Sequence, residues 1–354
     1  MSKNLRVRLR GIVDNSYDIV IGMELRNIPR EISRQSPHAL KIVITDSHIH
    51  RFYGNCFKKP GFRTLVVPWG EQSKSRSTKN KLEDKLLSLK AGRDSLIIAL
   101  GGGMIGDVAG FVAATYLRGI PYIQIPTSLL AQVDSSIGGK VAIDHPLGKN
   151  LIGAFHQPKK VYIDVSTLKT LPDREFRNGM AEIIKYAAIM DGNLFDYLED
   201  NISSIQSKRP SLLTKIIRRC CELKKFVVEK DEREANLRRI LNFGHTIGHA
   251  VESLSKYRVS HGEAVAIGMV AEAKISCNLG LISRQAVERL SSLIQKYDLP
   301  TEIPSTINTA SVLRATLNDK KVKDGNVQYT LLERLGKARV GVGIPLKEAR
   351  RMLS

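Results

Sequence analysis

The sequence predicts an α/β fold in which an N-terminal parallel-sheet domain precedes an α-helical domain. Three observations lead to this prediction. In the first half of the chain, short β-branched runs alternate with helical patterns, which is typical of a parallel sheet covered by helices. A glycine-rich turn at 101–107 follows one of these runs. After about residue 175, long helical patterns dominate instead.

Runs rich in β-branched residues predict buried strands of the parallel sheet. They lie at 41–46, 64–67, 95–100 and 122–125. Between them, the hydrophobic spacing predicts helices at 77–90 and 108–117. In the second half, helices are predicted at 176–190, 212–228, 237–254, 262–278 and 283–297.

The chain has 354 residues, which is long enough for two domains. Pro158, Pro172 and the segment 170–174 mark the change from alternating strands and helices to long helices. The sequence therefore predicts an α/β domain at 1–172 and an α-helical domain at 173–354, with a site in the cleft between them.

Composition excludes several classes of protein. The net charge is +20, but the basic residues are scattered and no zinc finger, arginine-rich tail or RNP-like motif accompanies them, so we expect no nucleic-acid partner. No apolar stretch approaches the roughly 20 residues that cross a bilayer, and the N-terminus lacks the apolar region of a secretory signal. Four irregularly placed cysteines predict no disulfide framework. We expect a cytoplasmic protein without a membrane partner.

The run QIPTSLLAQVDSSIGGK at 124–140 is the most informative part of the chain. It is nearly uncharged, and its glycines allow close backbone approach while Asp134 and Lys140 supply one charge of each sign. This composition indicates a wall around a small polar ligand. The glycine-rich turn at 101–107 predicts a nucleotide pyrophosphate site at a helix N-terminus. The alternative is a tight strand-to-helix turn in which Asp107 caps the helix.

Polar residues at 234–249 are spaced as one face of a helix. They are Glu234, Arg238, Asn242, His245 and His249. One interpretation is an ordinary solvent-exposed face. The other is a metal site, because histidines four residues apart can share an ion and a carboxylate on another helix, Glu182, would complete the set. The spacing alone does not choose among His245, His249 and His261.

The assembled motifs resemble the 3-dehydroquinate synthase family, and they follow the family's order over most of residues 40–330. The matching segments are 101–111, 124–140, 145–155, 178–186, 241–250 and 261–265. The resemblance implies a Rossmann-like NAD domain, a helical metal-binding domain and bound Zn²⁺ or Co²⁺. It also implies a homodimer and an anionic sugar-phosphate substrate.

The resemblance assigns roles to residues by their positions in these motifs. The implied metal ligands are Glu182, His245 and His261. The implied NAD contacts are Asp46, Glu71, Lys74, Gly103, Met104, Ile105, Gly106, Asp107, Thr127, Ser128, Lys140, Lys149, Thr167, Leu168, Lys169 and Thr170. The implied substrate contacts are Arg118, Asp134, Asn150, Lys185, Lys224 and one of Lys320 and Lys321, with Arg118 reaching a neighbouring subunit's site. The implied catalytic residues are Glu234, His249, Lys140, Arg238 and Asn242.

The family's reaction converts 3-deoxy-D-arabino-heptulosonate 7-phosphate into 3-dehydroquinate and phosphate. It proceeds by transient NAD-dependent oxidation, phosphate elimination, re-reduction and aldol cyclisation. Another sugar-phosphate cyclase, such as a 2-deoxy-scyllo-inosose or 2-epi-5-epi-valiolone synthase, would share the NAD and metal sites. A glycerol-dehydrogenase-like enzyme would share the architecture but accumulate NADH. A basic nucleic-acid-binding protein would show salt-sensitive DNA binding and no phosphate release.

Overall fold

The structure is a computed structural model that describes residues 14–36, 39–317, 322–323 and 326–353. Within these ranges, no helix combines the length and the apolar character that a membrane crossing requires. Lys320 and Lys321, one of which is implied as a substrate contact, lie outside the described residues.

The described residues of the N-terminal half form eight strands and four α-helices. The strands are β1 (Asp18–Ile21), β2 (Lys41–Asp46), β3 (Phe62–Val67), β4 (Leu96–Gly101), β5 (Tyr122–Pro126), β6 (Lys140–His145), β7 (Gly148–Phe155) and β8 (Lys160–Ile163). The helices are α1 (Ile28–Gln35), α2 (Ser47–Tyr53), α3 (Arg76–Ser88) and α4 (Gly103–Thr115).

Six of these strands form a parallel sheet in the order β1-β8-β5-β4-β2-β3. Every residue of β2 and β4 is buried, because helices cover both faces of the sheet, and this explains their continuous apolar runs. The remaining two strands, β6 and β7, pair as an antiparallel hairpin. The hairpin packs against α4, as shown by the shared core of Val141, Ile143 and Val112.

The C-terminal half is mainly helical. Its helices are α5 (Asp173–Met190), α6 (Gly192–Asp200), α7 (Ile202–Gln206), α8 (Pro210–Lys230), α9 (His245–Leu254), α10 (His261–Asn278), α11 (Arg284–Lys296), α12 (Thr309–Thr316) and α13 (Leu346–Leu353). It also holds an antiparallel sheet of β9 (Val322–Lys323), β10 (Asn326–Arg334) and β11 (Lys337–Ile344). The predicted α/β fold class is confirmed, whereas this second sheet was not predicted.

One hydrophobic core joins the two halves of the chain. Val161 and Ile163 of β8 pack in the same buried cluster as Phe176, Met180 and other residues of α5. Helix α5 begins at Asp173, just after Pro172. Division into independently folding units at 172/173 stays a prediction.

The predicted continuous helix at 237–254 is wrong. A 3-10 helix covers Leu237–Asn242, Gly244 has φ +77°, and α9 begins only at His245. The chain breaks here because it passes very close to α10: a Cβ on Gly244 would lie 2.7 Å from the carbonyl oxygen of Val265. A Cβ on Gly268 of α10 would overlap the carbonyl oxygen of Gly244. The polar residues from Glu234 to His249 therefore do not share one helical face.

Candidate active site

Three side chains from three different helices form a candidate metal centre. Glu182 comes from the middle of α5, His245 opens α9 and His261 opens α10. One ligand atom from each residue lies within 4.8 Å of the other two. Glu182 Oε1 is 3.3 Å from His261 Nε2 and 3.5 Å from His245 Nε2. Two imidazoles and one carboxylate form a ligand set that suits a catalytic Zn²⁺ or a similar ion.

Each histidine of this set has a second contact, made by the ring nitrogen that does not face Glu182. His245 Nδ1 lies 3.1 Å from the backbone oxygen of Phe243, so that a proton on Nδ1 leaves Nε2 free to face Glu182. His261 Nδ1 lies 3.7 Å from Oε2 of Glu252, a buried carboxylate of α9. Contacts of this kind set the tautomer of a metal-binding histidine.

The charges in the centre are suited to a cation. Burial alone would raise the pKa of Glu182, but Lys185 and His245 hold it well below its usual range. Burial and the nearby Lys185 lower the pKa of His245, which keeps this ring neutral. Burial would also lower the pKa of His261, but Glu182 and Glu252 raise it to about 9. In the metal-free protein, His261 thus carries a proton that an incoming ion would displace.

His249 lies beside this centre but outside the ligand group. It is one turn after His245 on α9, and the two ring centroids are 5.2 Å apart. Its ring centroid is 6.3 Å from that of His261. The spacing in the sequence left three histidines as alternatives, whereas the three-dimensional arrangement groups His245 and His261 with Glu182.

A second polar cluster adjoins the candidate metal centre. Nζ of Lys224 lies 2.7 Å from Oδ1 of Asp134, and the hydroxyl of Tyr186 donates to the same oxygen at 2.6 Å. Burial would raise the pKa of Asp134, but Lys224 and Lys185 lower it to about 2. Lys185 itself pairs with Glu182 and is almost fully buried. Because Lys185 and Tyr186 are consecutive in α5, the two clusters share one helix.

Lys140, Glu234 and Asn242 form a third polar group. Lys140 pairs with Glu234, and Nδ2 of Asn242 donates to Oε1 of Glu234 at 2.8 Å. Glu234 lies in a turn with φ +61° rather than in a helix. This group connects the first residue of the β6–β7 hairpin to the helical half of the chain.

Arg238 is a buried residue and not a surface arginine. Only 3% of this residue is exposed, and both terminal nitrogens donate to the backbone oxygen of Gly138 at 3.1 Å. The interpretation of residues 234–249 as an ordinary solvent-exposed face is therefore wrong for Arg238, and of the five polar residues only His249 is exposed. The guanidinium holds the glycine-rich end of the 124–140 run against the helical half.

Most of the implied NAD contacts lie at the carboxyl edge of the parallel sheet. Asp46 ends β2, Gly103 begins α4 directly after β4, and Thr127 follows β5. Such an edge is the usual ligand site of an open parallel sheet, and the N-terminus of α4 suits a pyrophosphate. The carboxylate of Asp46 also caps α2, accepting from the backbone of His48 and Ile49 at 2.9 Å each.

Asp107 does not cap a helix start. Helix α4 already begins at Gly103, with Gly102 as its N-cap, so Asp107 lies in the second turn. Its Oδ2 is 2.5 Å from Nζ of Lys74, which also donates to the side chain of Asn150. The three residues tie α4, the segment before α3 and the β6–β7 hairpin together.

The side chains of several other implied NAD contacts are already hydrogen-bonded or buried within the protein. The hydroxyl of Thr167 donates to the backbone oxygen of Asp164 at 2.8 Å, and Leu168 is buried in the core. A cofactor would therefore reach their backbone rather than their side chains. Thr170 shares a hydrogen bond of 2.7 Å with Tyr53. Six further positions lie near these contacts in the sequence: Met104, Ile105 and Gly106 in α4, Ser128 after β5, Lys169 beside Thr170, and Glu71 in a 3-10 turn before Lys74. The last two implied contacts, Lys140 and Lys149, belong to the β6–β7 hairpin.

Arg118 is not brought to the site of its own chain. It is exposed and lies just beyond the C-terminal end of α4, whereas the candidate NAD site is at the N-terminal end. At about 1.5 Å per residue, the helix separates the two ends by about 20 Å.

Sequence reasoning did not single out Tyr186 or Glu252. Both carried a detectable signal, because each lies on the same helical face as an implied ligand: Tyr186 is four residues after Glu182, and Glu252 is seven residues after His245. The contacts of Glu252 with another helix and with the hairpin leave no such trace in local spacing.

Comparison with known proteins agrees with this architecture. Residues 64–178 match the family model for the N-terminal part of 3-dehydroquinate synthase, and residues 179–322 match the model for its C-terminal part. A 3-dehydroquinate synthase from Desulforamulus reducens is 45% identical, with 95% of each chain covered.

Solved structures of related cyclases share the fold. A 2-epi-5-epi-valiolone synthase from Streptomyces hygroscopicus, with NAD⁺ and Zn²⁺ bound, aligns with a TM-score of 0.90 at 27% identity over 98% of each chain. A 2-deoxy-scyllo-inosose synthase complexed with carbaglucose-6-phosphate, NAD⁺ and Co²⁺ aligns with a TM-score of 0.86 at 29% identity, covering 94% of this chain and 95% of the other. The two family models together cover most of the chain, and the identity to the Desulforamulus protein extends over nearly all of it. The chain belongs to the 3-dehydroquinate synthase family.

Proposed function

We propose that this chain converts 3-deoxy-D-arabino-heptulosonate 7-phosphate into 3-dehydroquinate and phosphate, a step of the shikimate pathway in aromatic amino acid biosynthesis. The observation that carries the proposal is the cluster of Glu182, His245 and His261 in a chain of this family. Its position next to the Asp134–Lys224 pair supports a site that joins metal and substrate chemistry. A cytoplasmic location remains part of the proposal.

Two cofactors fit the described residues. Glu182, His245 and His261 would hold Zn²⁺ or Co²⁺, since their donor atoms converge and their outer contacts orient the rings. The sheet edge at Asp46 and the N-terminus of α4 would hold NAD⁺. When bound, the metal supplies Lewis acidity and NAD⁺ supplies reversible hydride transfer.

The side chains around these sites would bind and orient an anionic substrate. Lys185 and Lys224 are nearly buried and each is held by a carboxylate, so their ammonium groups are positioned before a ligand arrives. Compact ammonium charges serve well against carboxylate and phosphate oxygens. Asn150 and Lys140 lie at opposite ends of the β6–β7 hairpin and would contact the substrate from that side.

Two residues are candidates for proton transfer to and from the substrate. Burial would raise the pKa of Glu234, but Lys140 lowers it, so this carboxylate is ionised and able to accept a proton. His249, next to the metal ligands, is the second candidate. Arg238 and Asn242 would hold this face in place, Arg238 through Gly138 and Asn242 through Glu234.

The position of Arg118 supports a homodimer in which this residue completes the partner's site. The residue is exposed and remote from the site of its own chain. Coexpression of Arg118→Ala and His245→Ala chains tests this, because a mixed dimer regains one intact site. Activity in the mixture should then approach about one quarter of the wild-type value, while each variant alone stays inactive. Absence of any recovery in verified mixed dimers would contradict the shared site.

A single assay distinguishes the proposed activity from its alternatives. Purified protein with NAD⁺ and Zn²⁺ should release phosphate from the heptulosonate phosphate, and a chelator should abolish this release. NADH should not accumulate, because the hydride returns in each turnover; net NADH formation would indicate a dehydrogenase. Release from an aldose or ketose phosphate without the carboxylate, but not from the heptulosonate, would indicate another sugar-phosphate cyclase.

A further inference from the structure

Glu252 is a buried carboxylate to which the proposed reaction assigns no role. It lies in α9, two turns after His245, and only 5% of the residue is exposed. Its two oxygens point to different partners. Oε1 is 2.7 Å from Nζ of Lys149, and Oε2 is 3.7 Å from Nδ1 of His261.

The surroundings of Glu252 suit an ionised carboxylate. A buried anion is stable only when it is paired. Here the ammonium of Lys149 donates to Oε1, and the imidazole of His261 faces Oε2.

His261 consequently lies between two carboxylates. Its Nε2 faces Glu182, the other member of the candidate metal centre, at 3.3 Å. Its Nδ1 faces Glu252, which is not a member of the ligand group. A carboxylate on the nitrogen remote from the metal fixes the ring orientation and makes the ligating nitrogen more basic.

Lys149 contacts Glu252 from a distant part of the chain. It belongs to β7 of the hairpin in the N-terminal half. Its ammonium also lies 4.7 Å from the ring centroid of Tyr257, which follows α9. The lysine is thus fixed by a carboxylate and an aromatic face of the helical half, and the hairpin sets the position of the Glu252 carboxylate.

We propose that Glu252 is a positioning residue of the metal centre, which orients His261 through Nδ1 and is itself held in place by Lys149. This inference rests on the proposed metal-dependent function. It adds a link between the β6–β7 hairpin and one metal ligand, so that the hairpin contributes to metal affinity without contacting the ion.

The test measures metal affinity and coordination geometry in the absence of substrate. Zn²⁺ affinity of the full-length apoprotein is obtained by competition with a chelator, and the visible spectrum of the Co²⁺-loaded protein reports the ligand geometry. Glu252→Ala should weaken Zn²⁺ binding by about 10- to 100-fold and alter the Co²⁺ spectrum. Glu252→Gln, which retains an acceptor oxygen, should recover part of the affinity.

Two further variants separate the mechanism from general damage. Lys149→Met should weaken Zn²⁺ binding less than Glu252→Ala, and it should cause no additional loss when combined with Glu252→Ala, because both act through one contact. Glu83→Ala is the matched control: Glu83 also accepts from a lysine, Lys79 at 2.6 Å, but on α3. This control should leave Zn²⁺ affinity and the Co²⁺ spectrum unchanged.

The outcomes are distinct. Wild-type affinity and spectrum in a folded Glu252→Ala protein would overturn the positioning role and leave the metal centre intact. If Glu252→Ala does not fold, Glu252→Gln decides: an unchanged affinity and spectrum there would overturn the proposal. Losses of affinity that only parallel the loss of apoprotein stability in both variants would show a purely structural role. Failure of the wild-type protein to bind Zn²⁺ or Co²⁺ would contradict the proposed metal-dependent function itself.

Discussion

Lys224 and Asp134 form an ion pair of 2.7 Å that joins helix α8 to the π-helical turn Ala131–Ser135 inside the 124–140 run. The side chain of Lys224 is 6% exposed, and that of Asp134 is 23% exposed. Nζ of Lys224 also donates to the backbone oxygen of Asp134 at 2.6 Å. Lys224 therefore stabilises the irregular turn through the backbone oxygen of Asp134 and also neutralises the carboxylate of this residue.

Replacing Asp134 with Asn should destabilise the protein by about 3 kcal/mol, because it leaves the Lys224 ammonium buried without its counterion. Urea unfolding of the apoprotein measures this loss. Asp173→Asn is the matched control, since Asp173 pairs with Lys208 at 2.9 Å but its side chain is 81% exposed. Equal effects of the two substitutions would show that the burial of Lys224 is not important.

Replacing His245 with Ala should reduce Zn²⁺ affinity by more than the roughly 10- to 100-fold typical for loss of an outer contact, because one of three converging ligands is lost. His249→Ala should lower turnover while changing Zn²⁺ affinity only slightly, since this ring lies outside the ligand group. Chelator competition and a phosphate-release assay provide the two measurements. The opposite ranking of affinities would mean that His249, rather than His245, is the ligand.

Binding of Zn²⁺ near pH 7.5 should release about one proton from the protein. The pKa of His261 is raised to about 9, so this ring is protonated there and must lose its proton to bind a metal. The pKa of His245 is lowered, so it contributes none. Calorimetry in buffers of different ionisation enthalpy counts the protons, and the release should fall above pH 9. Release that is independent of pH between 7 and 10 would exclude His261 as its source.

The same shift has a consequence for the metal-free protein. The folded state holds the His261 proton more tightly than the unfolded chain, whose imidazole has a pKa near 6.5. The resulting stabilisation is fully present below pH 6.5 and is lost as the pH rises through about 9. The unfolding midpoint of the apoprotein should therefore fall across this range more in the wild type than in His261→Ala. Parallel pH profiles would contradict the shift.

Replacing Glu272 with Ala should cost about 1–3 kcal/mol of stability, because it removes an acceptor from buried backbone donors. Glu272 lies on α10 and accepts from the backbone of Gly244 at 2.7 Å and of Ile247 at 3.3 Å. It thus caps α9, whose N-cap residue is a glycine without a side chain. Thermal unfolding measures the loss. Glu288→Ala, on the exposed side of α11, should have little effect, and a comparable loss there would contradict the capping role.

The parallel sheet was largely predictable because its central strands are buried on both faces. The strands predicted at 41–46 and 122–125 stand out as short runs with several β-branched residues. The four-residue strands β1 and β8 are too short to produce such a signal. In β10, polar and apolar residues alternate from Asn326 to Leu331, so this strand carried a signal that the prediction of long helices passed over.

The three members of the candidate metal group could be named from the sequence, but their geometry and the contacts that Tyr186 and Glu252 make could not. The resemblance named Glu182, His245 and His261, whereas local spacing left His249 as an equal alternative. The break at Gly244 depends on the approach of α10, a tertiary contact that helical periodicity does not encode. The pairs Lys74–Asp107 and Lys149–Glu252 join distant segments, and their partners could not be matched from sequence spacing.

The crossing of α9 and α10 at Gly244 and Gly268 brings main chain against main chain. A side-chain contact can adjust by changing rotamer, but a backbone contact cannot. The separation between the first residues of the two helices, His245 and His261, is therefore insensitive to repacking of the surrounding apolar residues. An engineer could exchange the neighbouring valines and isoleucines with modest consequences, yet a single methyl group added at position 268 would push the two histidines apart.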